Sequence, residues 1–436
     1  MQNVTSSFSS NGSSNASSGH GRQRPVTIVG AGFSGLVSAF YLSRAGFQVE
    51  VIEKSNRVGG LIGTIKAPFG LVETAANAML CSARIEELFG LLGLELMKTQ
   101  KAARNRYIFR NGFPRRWPVG IFGTIRVAFF ALSIIFFKNR VRPKPFESIR
   151  TYGQRVLGAE ASQYLLEAAL QGIYAGDPVR LSATLILAGF FADRANKPRA
   201  GKIRGSVSAP EGMGQLVQRL YEKLSDFGVR FRFEQEFDPL TRVPEHPIVL
   251  ATPAWTAAEL LHEVDPVRAR ALTSIESLPV ITATIAFKEA SPKARGFGCL
   301  FPPVESRDAM GVLMNNYIFE GRTSRGFSEN WIFGGARASA KDLLALSDEE
   351  IINMAIDERN VVLSASGEYH SYRITRWPKA LPHYTADLER ALPELRGLRQ
   401  NTVLIGNYVQ GIGLGKILEA AALLPEELLQ KGEWKP

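Results

Sequence analysis

The chain has 436 residues, 45% of them apolar and 21% charged, a composition that fits two or three globular domains and excludes disorder over most of its length. Two cysteines, Cys81 and Cys299, exclude a disulfide framework and fit a reducing compartment, and the five histidines show no metal-ligand spacing. The net charge of +11 is regional: between Lys98 and Arg155 fourteen Lys/Arg stand against one acid, Glu147, a local charge of +13.

The first 22 residues are rich in Ser, Asn and Gly and lack the apolar run of a secretory signal, so residues 1–23 read as a disordered tail and the protein as cytoplasmic. The sequons beginning at Asn3, Asn11 and Asn15 then carry no expectation of glycosylation. In "PVTIVGAGFSGLVSAFYLSRAGFQVEVIEK" the pattern predicts a strand over Val26–Val29, the turn Gly30-x-Gly32-x-x-Gly35, a helix to Arg44, a stop at Gly46 and a strand ending at Glu53. This is a dinucleotide fingerprint in its strand–turn–helix context. Gly30 permits the tight turn, Gly32 lets a pyrophosphate approach the backbone, and Gly35 lets helix pack on strand. The helix start favours phosphate charge, and Glu53 is spaced to accept from a ribose hydroxyl. The fingerprint alone does not separate NAD from FAD.

Inside the basic region lies "VAFFALSIIFF", residues 127–137, between Arg126 and Lys138. Eleven apolar residues are too few to span a bilayer as a helix. A buried helix is one reading, and a basic, aromatic segment resting on an anionic membrane surface is the other. No recognised nucleic-acid module accompanies it, so no nucleic-acid partner is expected. In "GIYAGDPVRLSA", residues 172–183, Gly172, Tyr174 and Gly176 interrupt a helical passage before the Asp177-Pro178 turn, which points to a backbone that something approaches closely. "IVLATPAWTAAELL" reads as a buried strand turning at Pro253 into a helix. Four strand-like runs between 279 and 394 surround one helical insert, "DEEIINMAIDERNVVL", and predict a mixed sheet. The last element, "NTVLIGNYVQGIGLGKILEAA", repeats strand, glycine loop and helix: Val403–Ile405, then Gly406, Asn407, Gly411 and Gly413 before an Ala/Leu-rich helix.

The segment Arg57-x-Gly59-Gly60 after Glu53 resembles the second signature of the FAD-dependent amine oxidase superfamily. Further along, "NRYIFRNG", "GIYAGDPVRLSA", "APEGMGQLVQRL", "RWPKALPHY" and "GNYVQGIGL" resemble, in the right order, segments of the oxygen-dependent protoporphyrinogen oxidase family, over about residues 25–423. The resemblance implies an α/β fold. A discontinuous Rossmann-like FAD-binding domain would comprise 24–97, 203–278 and 395–436, with a helical, basic, membrane-facing domain at 98–202 and a mixed-sheet substrate domain at 279–394. It implies FAD held by Gly30, Gly32, Gly35, Glu53, Arg57, Gly59, Gly60, Gly406, Asn407, Gly411 and Gly413, the last helix start facing the flavin pyrimidine edge. It implies a tetrapyrrole substrate beside Gly172, Tyr174 and Gly176 with a propionate on Arg106, O₂ as electron acceptor, and a peripheral seat on the inner face of the cell membrane. No catalytic acid, base or metal is expected, because no Ser/His/Asp or Cys/His constellation is present. Protoporphyrinogen IX, coproporphyrinogen III, an amine or isoprenoid, and a non-catalytic FAD- or porphyrin-binding role all remain open at this point. Three departures from the family pattern stand out: Thr74-Ala75-Ala76 between Glu73 and Asn77 replaces Leu-Gly-Pro, Asp387-Leu388 replaces Gly-His, and Gly415-Lys416-Ile417 replaces Pro-Asp-Cys.

Overall fold

A computed structural model describes residues 24–192, 200–238, 246–337 and 340–431; the N-terminal tail and the middle of "FEQEFDPLTRVPEHP" lie outside the described residues. Five parallel strands form the first sheet, in the order Arg230–Arg232, Gln48–Ile52, Pro25–Val29, Ile248–Leu250 and Thr402–Leu404. Alternate residues go to opposite layers, as the two-residue strand period requires. Val26, Ile28, Val49 and Val51 face one core with the helices Phe33–Arg44, Met213–Asp226 and Leu414–Lys431. Val29, Ile52, Ile248, Leu250 and Leu404 face a second core with Ala254–Leu261, Pro266–Thr273 and Ala386–Leu395. Burial on both faces is the usual condition for an all-parallel sheet.

The second sheet has seven strands and is mixed: Tyr369–Pro382, Ser277–Phe287, Phe327–Gly334, Gly311–Met314, Gly298–Leu300, Arg106–Arg110 and Phe113–Arg115, with the single parallel pairing between Gly298–Leu300 and Arg106–Arg110. The helix Asp348–Leu363 covers it, started by a capping box between Ser347 and Glu350. Here the structure departs from the helical expectation for 98–202. That segment opens with two strands, because "RYIFR" alternates in the strand period and finds an open edge beside Gly298–Leu300.

Beyond those strands the segment is helical. The helix Ile121–Phe136 is not the buried helix of the first reading, since Gly123 is its one buried residue. Phe122 and Phe129 are 81% and 66% exposed, and Ile121, Ile135 and Phe136 about as much. Its N-terminal turn is the anchored part. The Glu160 carboxylate accepts from Gly120 N–H at 3.1 Å and pairs with Arg110 at 2.6 Å, and Arg126 packs on Gly158. Among the described residues no helix is long and apolar enough to cross a membrane.

The last strand is tied to the rest by one fully buried cation. Arg268 donates to the carbonyls of Thr402 (2.8 Å), Gly397 (2.6 Å) and Glu394 (3.1 Å), while Asp265 caps its helix. Replacing it strands three carbonyls and one carboxylate in the interior. Arg268→Met is therefore expected to lower stability by about 3 kcal/mol or more, read as a fall in the urea midpoint at unchanged slope.

Candidate functional site

Three loops meet beyond the carboxyl ends of the central parallel strands, where open α/β sheets bind their ligands. The first is the turn at Gly30, whose φ is +101°; a Cβ there would stand 2.9 Å from the carbonyl oxygen of Ala251. A Cβ on Gly35 would stand 1.9 Å from the Gly30 carbonyl oxygen, so only glycine lets this helix sit on this strand. Gly32 is the N-cap of Phe33–Arg44 and no side chain caps it, which leaves first-turn N–H groups for a ligand. Gly32 bridges Gly59, and a Cβ on Gly60 would come within 3.3 Å of the Gly32 Cα. Arg57 folds over this turn and donates to Gly60 O at 2.8 Å.

Glu53 sits at the end of its strand with Oε2 accepting from Ala31 N–H (2.7 Å) and Oε1 from Ser55 N–H and Oγ–H (2.9 and 2.7 Å). An ionised carboxylate accepts about four hydrogen bonds. One position on Oε2 is left for a hydroxyl. The second loop, after Leu250, brings Thr252 beside Gly30, and its hydroxyl is buried with no partner among the described residues. A glycine cradle, an uncapped helix start, an open carboxylate position and an orphaned hydroxyl form a donor set that fits the diphosphate and ribose of a dinucleotide.

The third loop carries Gly406, Asn407, Gly411 and Gly413. Gly406 N–H donates to Gln410 Oε1 at 2.7 Å, and Gly411 has φ +114°. It joins the "GIYAGDP" loop through a residue that sequence reading did not single out. Tyr384 donates its hydroxyl to Asn407 O and packs edge-on against Tyr174, with centroids 5.0 Å apart. Burial raises the Tyr174 pKa and raises that of Tyr384 further.

The structure also gives the glycines of that loop immediate neighbours. A Cβ on Gly172 would meet Leu300 Cδ2 at 2.5 Å, and one on Gly176 would meet Leu181 Cδ2 at 2.5 Å and His383 Cδ2 at 3.0 Å. His383 is fully buried, with Nδ1 2.9 Å from Glu276 Oε2 and Nε2 accepting from Asp177 N–H at 3.3 Å. Both ring nitrogens are occupied. Because Nε2 accepts, the ring is neutral with its proton on Nδ1, and this histidine is a strut for the loop rather than a free base. Only the "LPHY" order in the sequence could have pointed to it.

Arg106 lies on the strand beside Gly298, exposed, with its guanidinium 4.6 Å from the centre of the Phe297 ring. No carboxylate pairs with it among the described residues, which leaves its planar fork open to one from a ligand. Gly172 packs on Leu300 of the neighbouring strand, so Arg106 and the glycine loop flank the same three-residue strand. The altered segment after Glu73 is held from outside: Trp377 donates to Thr74 O at 2.7 Å. Glu73 itself is buried on Arg322 (2.8 Å), Met213 N–H (3.0 Å) and Thr64 Oγ–H (2.7 Å). Among the described residues no cluster of His, Cys, Asp and Glu could hold a metal ion.

The model of the flavin containing amine oxidoreductase family matches residues 33–420. Human protoporphyrinogen oxidase is 23% identical, with 91% of this chain and 96% of the relative aligned. The coproporphyrinogen III oxidase of Bacillus subtilis is also 23% identical, over 90% and 95%. The solved structure of cyclohexylamine oxidase from Brevibacterium oxydans superposes with a TM-score of 0.67 at 16% identity, covering 93% of this chain and all of that one.

The buried His383 has a pKa lowered by desolvation, which outweighs its bond to Glu276. A histidine whose folded pKa is depressed costs nothing above its unfolded value of about 6.5 and costs stability as pH falls below it. The urea midpoint is therefore expected to drop between pH 7.5 and 5.5, and to drop less in His383→Gln, leaving the part due to the half-buried His246, whose pKa burial also lowers.

Proposed function

The chain belongs to the flavin-containing amine oxidoreductase family, and on that premise we propose that it oxidises a porphyrinogen to the porphyrin, with protoporphyrinogen IX as the first candidate. It is an FAD-dependent oxidoreductase. FAD, when bound, supplies the two-electron chemistry that no side chain here can carry. In this reading Gly30, Gly32, Gly35, Gly59, Gly60, Glu53 and Arg57 seat the diphosphate and ribose, and Gly406, Asn407, Gly411 and Gly413 line the flavin end. Arg106 takes a propionate. Tyr174, between Gly172 and Gly176, presents the loop to the macrocycle, whose pyrrole N–H protons leave to solvent. Three such oxidations remove six hydrogens, each consuming one O₂ and releasing one H₂O₂.

The observation that carries this reading is the Tyr174–Tyr384–Asn407 link, which couples the loop of the porphyrinogen-oxidase resemblance directly to the C-terminal glycine loop. The names of the human and Bacillus relatives support the substrate class. Anaerobic mixing of the yellow holoprotein with protoporphyrinogen IX, coproporphyrinogen III and a panel of amines is expected to bleach the flavin band near about 450 nm with one porphyrinogen, with colour and porphyrin fluorescence returning in air. Arg106→Met is expected to weaken that substrate roughly tenfold or more. Bleaching by an amine alone, or by nothing, would overturn the substrate.

The second part of the proposal concerns location. A helix that is apolar around its circumference needs an apolar cover, and Ile121–Phe136 has none from the chain itself. Trp117, Phe137 and Phe190 extend its exposed face, and Arg115, Arg116, Arg126, Arg140 and Arg142 rim it. Arg142 donates to Phe191 O at 3.0 Å, which fixes the helix Ala183–Phe191 at the same end. An anionic lipid surface matches both the apolar face and the rim. The protein is expected to sediment with vesicles containing phosphatidylserine or phosphatidylglycerol and to be released by added salt. The double variant Phe122→Ser/Phe129→Ser should stay in the supernatant with flavin bleaching intact.

A further inference from the structure

Lys416 stands where a cation is disfavoured. It belongs to the first turn of Leu414–Lys431, whose helix dipole opposes a positive charge, and its N–H donates to Gly413 O at 2.9 Å. Among the described residues no carboxylate pairs with it. Its side chain nevertheless folds back along the loop, Cδ and Nζ lying 2.7 and 3.3 Å from the Cβ position of Gly411. A side chain at Gly411 would block that course. The surrounding protein takes water from the ammonium and lowers its pKa. A surface lysine gains nothing by lying this way, whereas one awaiting an anion does.

The anion can be placed by topology. Thr402–Leu404, from which this loop springs, is two strands away from Pro25–Val29 and the diphosphate cradle, about 10 Å at ordinary strand spacing. The same loop is fastened by Asn407 to Tyr384 and so to Tyr174, on the substrate side. An extended FAD with its diphosphate at Gly32 turns its isoalloxazine end toward Lys416. Uptake of a hydride, two electrons and one proton from a breaking substrate C–H bond, adds one negative charge to oxidised flavin, spread over N1 and the C2 oxygen. We infer that Lys416 supplies the positive charge that balances the pyrimidine end of the reduced flavin. This sets the driving force of the reaction. The inference rests on the FAD seat proposed above and not on the choice of porphyrinogen.

The test uses the holoproteins of wild type, Lys416→Met and Lys416→Arg, with two readouts that need no substrate: equilibrium reduction against dyes of known potential, and FAD retained through gel filtration. Lys416→Met is expected to lower the ratio of reduced to oxidised flavin at fixed poise at least tenfold, a fall of about 30 mV for a two-electron couple, with FAD retention unchanged and Lys416→Arg near wild type. Lost FAD with an unchanged potential would make Lys416 a diphosphate ligand and overturn the inference. An unchanged potential with unchanged retention would make it a surface lysine and overturn it equally. A wild-type protein that cannot be loaded with FAD would overturn the seat itself, whereas failure to oxidise porphyrinogens leaves both readouts standing.

Discussion

The constraint on which the rest depends is the contact between the Gly35 backbone and the Gly30 carbonyl. No Cβ fits between them, and the absence of one lets Phe33–Arg44 begin directly over the end of Pro25–Val29. The uncapped helix start, the Gly59–Gly60 turn bridged to Gly32 and the carboxylate of Glu53 are all positioned from that start. Gly30 at the same time touches Ala251, so the second loop is fixed by the first. The ligand end of the sheet is thus a chain of backbone approaches, each permitted by a missing side chain.

The second half of the site hangs on a different kind of tie. Segment 381–385 leaves the mixed sheet and crosses the mouth of the parallel one. His383 holds Asp177 N–H, Ser182 N–H donates to Tyr384 O, and the Tyr384 hydroxyl reaches Asn407. Polar contacts this deep are worth more than their surface equivalents, because the alternative is an unpaired buried group. Glu276 keeps His383 in one tautomer and is itself held by Arg180 at 2.8 Å. Rigidity between the two glycine loops therefore comes from a few side chains converging from three distant parts of the chain.

That difference explains what the sequence made legible. Gly30, Gly32, Gly35 and Glu53 are local in sequence, and their spacing encodes their geometry. Strand and helix limits there fall within a residue or two of the expected ones, and the insert 348–363 matches its helix. Period also placed the four strands of 279–394 in a mixed sheet. It was the edge strands Arg106–Arg110 and Phe113–Arg115 that were misread, because a basic, helix-rich neighbourhood outweighed five alternating residues whose partner lies almost two hundred positions away. His383, Glu276 and Tyr384 were invisible for the same reason: their roles exist only through contacts of long sequence separation. Gly172 and Gly176 were legible as positions of close approach, but nothing local could show that Leu300, Leu181 and His383 are the groups approaching.

The apolar helix Ile121–Phe136 is the point at which local rules and the packed structure disagree most. Its sequence asks for burial, yet the chain fastens only its first turn, through Glu160 at the N-terminus and Arg126 on Gly158. Phe130 and Val127 make its remaining core contacts. A globular chain that needed this helix only for stability would turn more of the phenylalanines inward, since each one buried contributes roughly 1.5–3 kcal/mol. Instead they are held outward on a firm base, with arginines around the edge. Such violations of local consistency are retained where a function offsets them. A lipid surface recovers the forgone burial free energy without a single change in the fold, and a poorly soluble macrocyclic product gives a reason to place the enzyme there.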